Sequence, residues 1–411
     1  MLVPKLRFKR EDGSDYPEWR NKSFANAFAP LNNNTFSRDM LSENGTVLNI
    51  HYGDILVKFG EVCDIQAMDI PKVNAEIDTS KYDELKDGDI ILADTAEDET
   101  VGKAIEIYHT GTSKVVSGLH TMACRPNDKY APKYMGYYIN SPTYHNQLLP
   151  FMQGIKVTSI GRKNIADTVI YYPADLEEQQ KIADFLSTVD EVIAQSKAEV
   201  QNLEQQKKAA MQKIFSQEVR FKREDGTDYP VWKNTSLGKI GDVAMCKRIL
   251  KEQTSENGDV PFFKISTFGG TPDAYISYQL FDDFKQIYRF PQKGAILISA
   301  AGTIGKTVRY NGEDAYYQDS NIVWLEHDDS VVDDFLYQFY QQVSWEGLEG
   351  STIKRLYNKN LLETPISLPC LEEQQKIADF LSAYDEAIRC AKQELDKWKE
   401  LKKGLLQQMF V

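Results

Sequence analysis

The sequence LEEQQKIADFLS occupies residues 176–187 and recurs unchanged at residues 371–382, a shift of 195 residues. A second pair consists of RFKREDGSDYPEW at residues 7–19 and RFKREDGTDYPVW at residues 220–232. Self-similarity of this kind is the signature of a repeated architecture. Chance does not produce identity over stretches of this length, so the chain contains two copies of one unit.

Each copy of the twelve-residue stretch begins a predicted long helix. Neither Gly nor Pro interrupts residues 176–216, and Asp175 followed by Glu178 is typical of an N-terminal cap. Apolar side chains recur at alternating steps of four and three, a pattern that predicts a coiled coil. Lys207 and Lys402 share one late step of this pattern. The predicted helix–helix packing residues are Ile182, Leu186, Val189, Ile193, Val200, Leu203, Ile377, Leu381, Tyr384, Ile388, Leu395 and Trp398. Two amphipathic helices that each cover their own domain are the alternative.

The order of the repeated segments predicts a closed arrangement. The first helix leads into the second RFKRED block, while the chain begins with that block and ends with the second helix. Joining Val411 to Met1 would therefore close a ring of two equivalent units. We expect neighbouring termini, pseudo-twofold symmetry and two antiparallel helices, each ~60 Å long at a rise of about 1.5 Å per residue.

The segments between the repeats have diverged, and we call them the heads. Strand-like runs punctuated by turns include GDILVKF at 53–59 in the first head and NIVWLE at 321–326 in the second. The predicted fold class is α+β, with two mixed-sheet heads separated by two long antiparallel coiled-coil helices. The predicted segments are a repeat block at 1–19, the first head at 20–175, a helix at 176–216, a repeat block at 217–232, the second head at 233–370 and a helix at 371–411.

Composition and charge exclude several classes of protein. The 411 residues are 42% hydrophobic and contain no apolar run long enough for a membrane span or a secretory signal. The five cysteines are odd in number and never spaced as CxxC, which favours reduced thiols in the cytoplasm over a structural zinc. A net charge of −13 argues against a protein that coats nucleic acid by itself.

No catalytic motif emerges from the sequence. AAGTIGKT at 300–307 ends like a phosphate-binding loop, but Ala300 stands where the first glycine belongs and strand-like sequence follows. This segment therefore predicts a turn between strands. The five histidines form no metal-binding pattern. We expect a non-catalytic protein without metal or cofactor.

Both heads end in glycine-anchored basic loops. Lys and Arg suit contacts to DNA phosphates, whereas Arg, Asn, Ser and Thr are side chains that read base edges. Each of these residues has the alternative role of a solvated surface residue. The candidate DNA-binding residues are Lys156, Thr158, Ser159, Arg162, Lys163, Asn164, Lys306, Thr352, Lys354, Arg355, Asn358, Lys359 and Asn360.

Two variable segments, each followed by a helix that opens with LEEQQKIADFL, resemble the specificity subunit (HsdS) of a type I restriction–modification system. The resemblance covers essentially the whole chain, and the turn from Gly302 to Lys306 is similar to one in such target domains. It implies that residues 20–175 and 233–370 are target-recognition domains. Each would read one half of a bipartite asymmetric DNA sequence, and the helices would set the spacer between the halves.

The resemblance also implies the partners. These are double-stranded DNA, two methyltransferase subunits that dock on the chain, and restriction subunits in the full complex. The methyltransferase subunits would methylate adenine N6 with S-adenosylmethionine. No membrane is expected among the partners. None of that chemistry would reside in this chain. The rival interpretations are a coiled-coil scaffold with two protein-binding heads, an orphan specificity module for another modification system, and an unrecognised nuclease.

Overall fold

The structure, a computed structural model, describes residues 3–154, 157–345 and 355–411. The chain forms two compact units: Met1–Lys197 together with Gln393–Val411, and Ala198–Lys392. Each unit therefore combines one head with parts of both long helices.

The first head is built on two mixed sheets. Its strands are β1 (Arg20–Ser23), β2 (Phe28–Pro30), β3 (Leu41–Ser42), β4 (Val47–Ile50), β5 (Val62–Asp64), β6 (Lys72–Val73), β7 (Ile90–Ala93), β8 (Thr95–Ala96), β9 (Ala104–Tyr108), β10 (Lys114–Ser117), β11 (Thr121–Pro126), β12 (Thr158–Ser159) and β13 (Val169–Tyr172). The helices are α1 (Phe24–Ala27), α2 (Tyr52–Val57), α3 (Tyr134–Ile139), α4 (Pro142–His145), α5 (Arg162–Ala166) and then the long helix α6 (Leu176–Phe215). The larger sheet has the order β2-β11-β7-β9-β5, in which β5 and β9 are parallel. The smaller has the order β10-β4-β6-β3, in which β10 and β4 are parallel.

The second head repeats this plan with fewer strands. They are β14 (Lys233–Ser236), β15 (Gly241–Ala244), β16 (Val260–Phe263), β17 (Tyr275–Ile276), β18 (Ile296–Ser299), β19 (Thr307–Arg309), β20 (Tyr316–Tyr317), β21 (Ile322–His327) and β22 (Pro365–Leu368). The helices are α7 (Tyr278–Ile287), α8 (Asp333–Gln342), α9 (Asn358–Glu363) and the long helix α10 (Leu371–Met409). An antiparallel sheet, β15-β21-β18-β19, lies beside a mixed sheet, β17-β16-β20. The predicted α+β class with mixed sheets is therefore confirmed.

The two long helices are antiparallel within each unit. In the first unit, Lys402 Nζ of α10 lies 2.6 Å from a carboxylate oxygen of Asp190 of α6. In the second, Lys207 Nζ of α6 lies 2.6 Å from the carboxylate of Asp385 of α10. Each pair joins a late step of one helix to an early step of the other. The same ion pair thus recurs at the repeat shift, and the antiparallel prediction is confirmed.

The long helices also belong to the cores of the heads. Ile182, Leu186 and Val189 of α6 pack with Met409 of α10 in the hydrophobic core of the first unit. Ile377 and Leu381 of α10 belong to the hydrophobic core of the second unit. Among the other predicted packing residues, Val200 and Leu395 are buried, whereas the half-buried ones are Ile193, Leu203, Tyr384, Ile388 and Trp398. The helices therefore pack against each other and also cover their own heads. The coiled-coil interpretation and its alternative, helices that cover their own domains, each describe part of this packing.

The chain termini meet as the order of repeats predicts. The backbone N–H of Leu6 donates to the carbonyl of Gln408 at 2.9 Å. In the second unit, Val219 N–H donates to Lys213 O at 3.1 Å, which is the same bond between equivalent residues. There, however, the chain is continuous. The repeat block therefore meets the end of a long helix in the same way whether or not a covalent link joins them.

One predicted strand is wrong. The segment GDILVKF contains α2, whose first turn is capped by the His51 side chain, which accepts the Gly53 N–H at 3.2 Å. Ile55 is fully buried while Val57 is exposed, so side chains two positions apart do not share a face as they would in a strand. A short apolar run is compatible with a strand or a helix, and the cap at His51 favours the helix.

Candidate nucleic-acid interface

We call the described segments at 157–164 in the first head and 355–360 in the second the closing loops. Each is anchored on the residue that follows a central strand. In the first head, Ile160 N–H donates to the carbonyl of Asp94, directly after β7, at 3.0 Å. In the second, Leu356 N–H donates to the carbonyl of Ala300, directly after β18, at 2.9 Å. The loops therefore occupy equivalent places in two heads whose sequences differ.

A short helix follows each loop and fixes it from the other side. Ile165 of α5 and Leu361 of α9 are fully buried. Next along the chain, Thr168 O accepts the Phe24 N–H at 2.8 Å, and Thr364 O accepts the N–H of the equivalent Leu237 at 3.0 Å. The polar residues at the start of these helices are thus held by buried contacts immediately behind them.

The first head brings several candidate residues to one surface. Ser159, Arg162 and Lys163 are exposed, while Thr158 and Asn164 are half-buried. Arg162 donates to Asn33 Oδ1 at 2.7 Å, which orients the guanidinium. Lys156 lies outside the described residues.

The second head has Arg355 and Asn358 where the first has Ser159 and Arg162, whereas Lys359 and Asn360 match Lys163 and Asn164. Asn358, Lys359 and Asn360 at the start of α9 are exposed. Arg355 is half-buried because its guanidinium donates to the carbonyl of Ser320 at 2.5 Å. Thr352 and Lys354 lie outside the described residues.

Lys306 is part of the predicted turn between strands. Gly305 N–H donates to Ser299 O at 2.9 Å, and β19, which pairs antiparallel with β18, follows at once. The Lys306 Nζ group donates to the carbonyl of Phe268 at 2.5 Å. In the first head Lys103 occupies the same turn position and donates to Phe59 O at 2.8 Å. The amines of both lysines are engaged in bracing a neighbouring loop.

Sequence reasoning missed the residues that contact the closing loop from elsewhere in the first head. Asn33 Oδ1 accepts a hydrogen bond from Arg162, and Asn33 Nδ2 donates to Gly118 O at 3.3 Å. His120 lies beside Asp94, with 3.3 Å between its Nδ1 and the carboxylate. The order of strands brings these residues together, because β11 lies next to β7. No sequence motif marks them.

Two features of the described residues bear on other classes of site. They contain no group of three His, Cys, Asp or Glu side chains able to hold a metal ion. They also contain no helix of the length and apolarity that crossing a membrane requires.

Comparisons with known sequences identify a family. The model of the type I restriction modification DNA specificity domain matches residues 18–205 and 230–400. A putative type I restriction enzyme specificity subunit of Haemophilus influenzae is 55% identical over 150 residues, which are 36% of this chain and 39% of that protein. The chain thus matches about two fifths of that relative's length. The putative MjaX specificity subunit of Methanocaldococcus jannaschii is 26% identical over 373 residues, covering 85% of this chain and 82% of that protein.

Solved structures share the fold. The S subunit of a type I restriction–modification system from M. genitalium aligns with a TM-score of 0.57 at 14% identity, covering 100% of this chain and 99% of that one. A chain from a structural study of assembly and conformational transition in a type I system aligns with a TM-score of 0.56 at 20% identity, covering 96% of this chain and 98% of that one.

Proposed function

The chain belongs to the DNA specificity subunits of type I restriction–modification systems, the non-catalytic DNA-recognition component, and we propose that its two heads each read one half of a bipartite asymmetric target. The heads are assigned as target-recognition domains at residues 20–175 and 233–370. One observation carries the proposal: the closing loops share an anchor, a Lys and an Asn, but differ where Ser159 faces Arg355 and Arg162 faces Asn358 in the register of the two heads. Arg and Asn prefer different bases, so one scaffold suits two different half-sites.

Repetition of exposed residues supports the docking of two identical methyltransferase subunits. Packing explains why buried residues are identical in the two repeats, but it does not explain why exposed apolar residues are. Phe185 and Phe380 each pack one side against a phenylalanine of the repeat block, Phe8 or Phe221, yet they remain 38% and 40% exposed at equivalent positions. Leu176 and Leu371 are likewise exposed on the first turns of the two helices. We define this pair of surfaces as the repeated faces; each fits one copy of the same partner.

The remaining parts of the proposal follow from the family. The long helices set the spacer between half-sites, since α6 has 40 residues and α10 has 39, enough for about 60 Å of straight helix. The methyltransferases act on adenine N6 and supply much of the phosphate contact, which suits a chain of net charge −13. Restriction subunits join the complex in the cytoplasm.

Sequencing of methylated adenines tests the reading of DNA. In cells that carry this chain and its methyltransferase, we expect methylation at one asymmetric motif whose two specified parts are separated by unspecified bases. Cells with the methyltransferase alone are the control and should lack the motif. A motif that persists without the chain would refute the assignment.

Removing the aromatic side chains of the repeated faces tests the docking. We expect Phe185→Gln or Phe380→Gln to reduce the co-purifying methyltransferase from two copies to one, and the double variant to bind none. Leu401→Gln is the matched control, because Leu401 is an exposed apolar residue of α10 whose counterpart in α6 is Gln206. Native mass spectrometry gives the stoichiometry. Two retained copies in the double variant would contradict this surface.

A further inference from the structure

We propose that His120 in the first head and Asn321 at the equivalent position of the second head contact base edges in the two halves of the DNA target. This inference rests on the proposed function and names further residues that determine its specificity. Neither residue belongs to the basic closing loops. Both come from the turn that precedes a central strand, β11 in the first head and β21 in the second.

The equivalence of these two positions follows from backbone hydrogen bonds. Asp94 N–H donates to His120 O at 3.1 Å, and Ala300 N–H donates to Asn321 O at 2.7 Å. The carbonyl groups of the same two residues, Asp94 and Ala300, accept the N–H groups of the closing loops. In each head, a single residue therefore joins the closing loop on one side to the proposed contact residue on the other.

Neighbouring side chains hold the His120 ring in one orientation. The carboxylate of Asp94 lies 3.3 Å from Nδ1, and the side chain of His120 is 47% exposed. Thr95 Oγ1 donates to the same carboxylate oxygen at 2.8 Å. The Tyr52 ring packs at right angles to the imidazole, with 5.2 Å between centroids. Thr95 Oγ1 also lies 3.4 Å from Nδ1. Asp94 and Thr95 are thus positioning residues, and Nε2 of His120 is left for a partner other than the described residues.

The chemistry of the free nitrogen fits the major groove. With the proton of a neutral imidazole on Nδ1 facing Asp94, Nε2 is an acceptor. The amino groups of cytosine and adenine are the donors that the major groove offers. The His120 backbone has a φ of 53°, a left-handed conformation in which histidine is enriched among residues other than glycine.

Hydrogen bonds connect His120 to the candidate loop on both sides. Arg162 donates to Asn33 Oδ1, and Asn33 Nδ2 donates to Gly118 O, two residues before His120. On the other side, β8 with Thr95 pairs antiparallel with β12 of the closing loop. The segments on either side of His120 in the fold are therefore hydrogen-bonded to the parts of the closing loop that carry Ser159 and Arg162.

The second head offers an asparagine on a similar surface. Asn321 is half-buried and lines an open cleft with Arg248 and Lys264. The preceding carbonyl, of Ser320, accepts Arg355 of the closing loop. An Asn side chain pairs with adenine N6 and N7 in the major groove. His and Asn at one structural position suit heads that read different bases.

The chain contains a matched control residue. His109 has a φ of 56°, its Nδ1 lies 3.1 Å from the carboxylate of Asp64, and its side chain is 51% exposed. It follows β9, which is antiparallel to β7. His109 therefore lies at the opposite end of the larger sheet from Asp94 and His120. It reproduces the local chemistry without the proposed contact.

The experiment uses the chain assembled with its methyltransferase. Half-sites are first assigned to heads by exchanging each head. We expect His120→Ala to lower affinity for the original target about 10-fold and to relax at least one position in the first head's half alone. Asn321→Ala should do the same in the other half, and His109→Ala should change neither. His120→Asn, compatible with positive φ, guards against a folding defect and should alter base choice at the same position.

Several results would overturn the inference. They are an unchanged motif and affinity in the His120 and Asn321 variants, equal effects of the His109 and His120 variants, or weaker binding with both half-motifs intact, which indicates phosphate contact only. Failure of the proposed function is distinguishable, because the unsubstituted complex would then methylate no bipartite motif.

Discussion

Replacing Glu373 with alanine is expected to lower the free energy of unfolding by about 2–4 kcal/mol. The carboxylate is completely buried and accepts Arg220 Nη2 at 2.7 Å and Trp232 Nε1 at 3.0 Å. The hydrogen bond that Arg220 donates to Glu373 raises the pKa of Arg220 above its usual value. Removing Glu373 leaves the buried Trp232 N–H without its acceptor and a half-buried cation with only the carbonyls of Tyr229 and Pro230, which is the costly case for such pairs.

The neighbouring carboxylate gives a matched control. Glu372 is 73% exposed and lies 3.9 Å from Arg223. Exposed ion pairs contribute little, so Glu372→Ala should cost less than ~1 kcal/mol. Urea unfolding of the purified chain, followed by circular dichroism, measures both changes. Equal losses in the two variants would show that the buried pair does not fasten the repeat block to the helix.

The same substitution in the other repeat should behave alike. Glu178 is buried and accepts Arg7 Nε at 2.7 Å and Trp19 Nε1 at 3.3 Å. Sequence reasoning interpreted this residue as the partner of Asp175 in a helix cap. Asp175 does cap α6, since its carboxylate accepts the Glu177 N–H at 3.0 Å. Glu178 instead pairs with a residue 171 positions away, which local sequence does not encode.

The long helices were predictable because their information is local and repeated. The repeat predicts helices that begin at residues 176 and 371, and α6 and α10 begin there. The closure of the chain was predictable for the same reason, and the Leu6–Gln408 hydrogen bond confirms it.

The candidate interface was only partly accessible from the sequence. Comparing the ends of the heads located the closing loops, because both carry Gly, basic residues and Asn in similar order. It did not locate Asn33 or His120, which reach the loop through the order of strands in a sheet. That order depends on long-range pairing, and no spacing along the chain reports it.

Exchange of one head tests the central claim most directly. Strands β1 and β13 pair with each other, Arg20 opposite Tyr172, so replacing residues 20–175 with the corresponding head of another specificity subunit carries both strands together. Sequencing of methylated adenines should then show a new first half-motif, with the other half and the spacer unchanged. Exchange of residues 233–370 is the reciprocal control and should change only the other half. An unchanged motif, or a change in both halves after one exchange, would contradict the account.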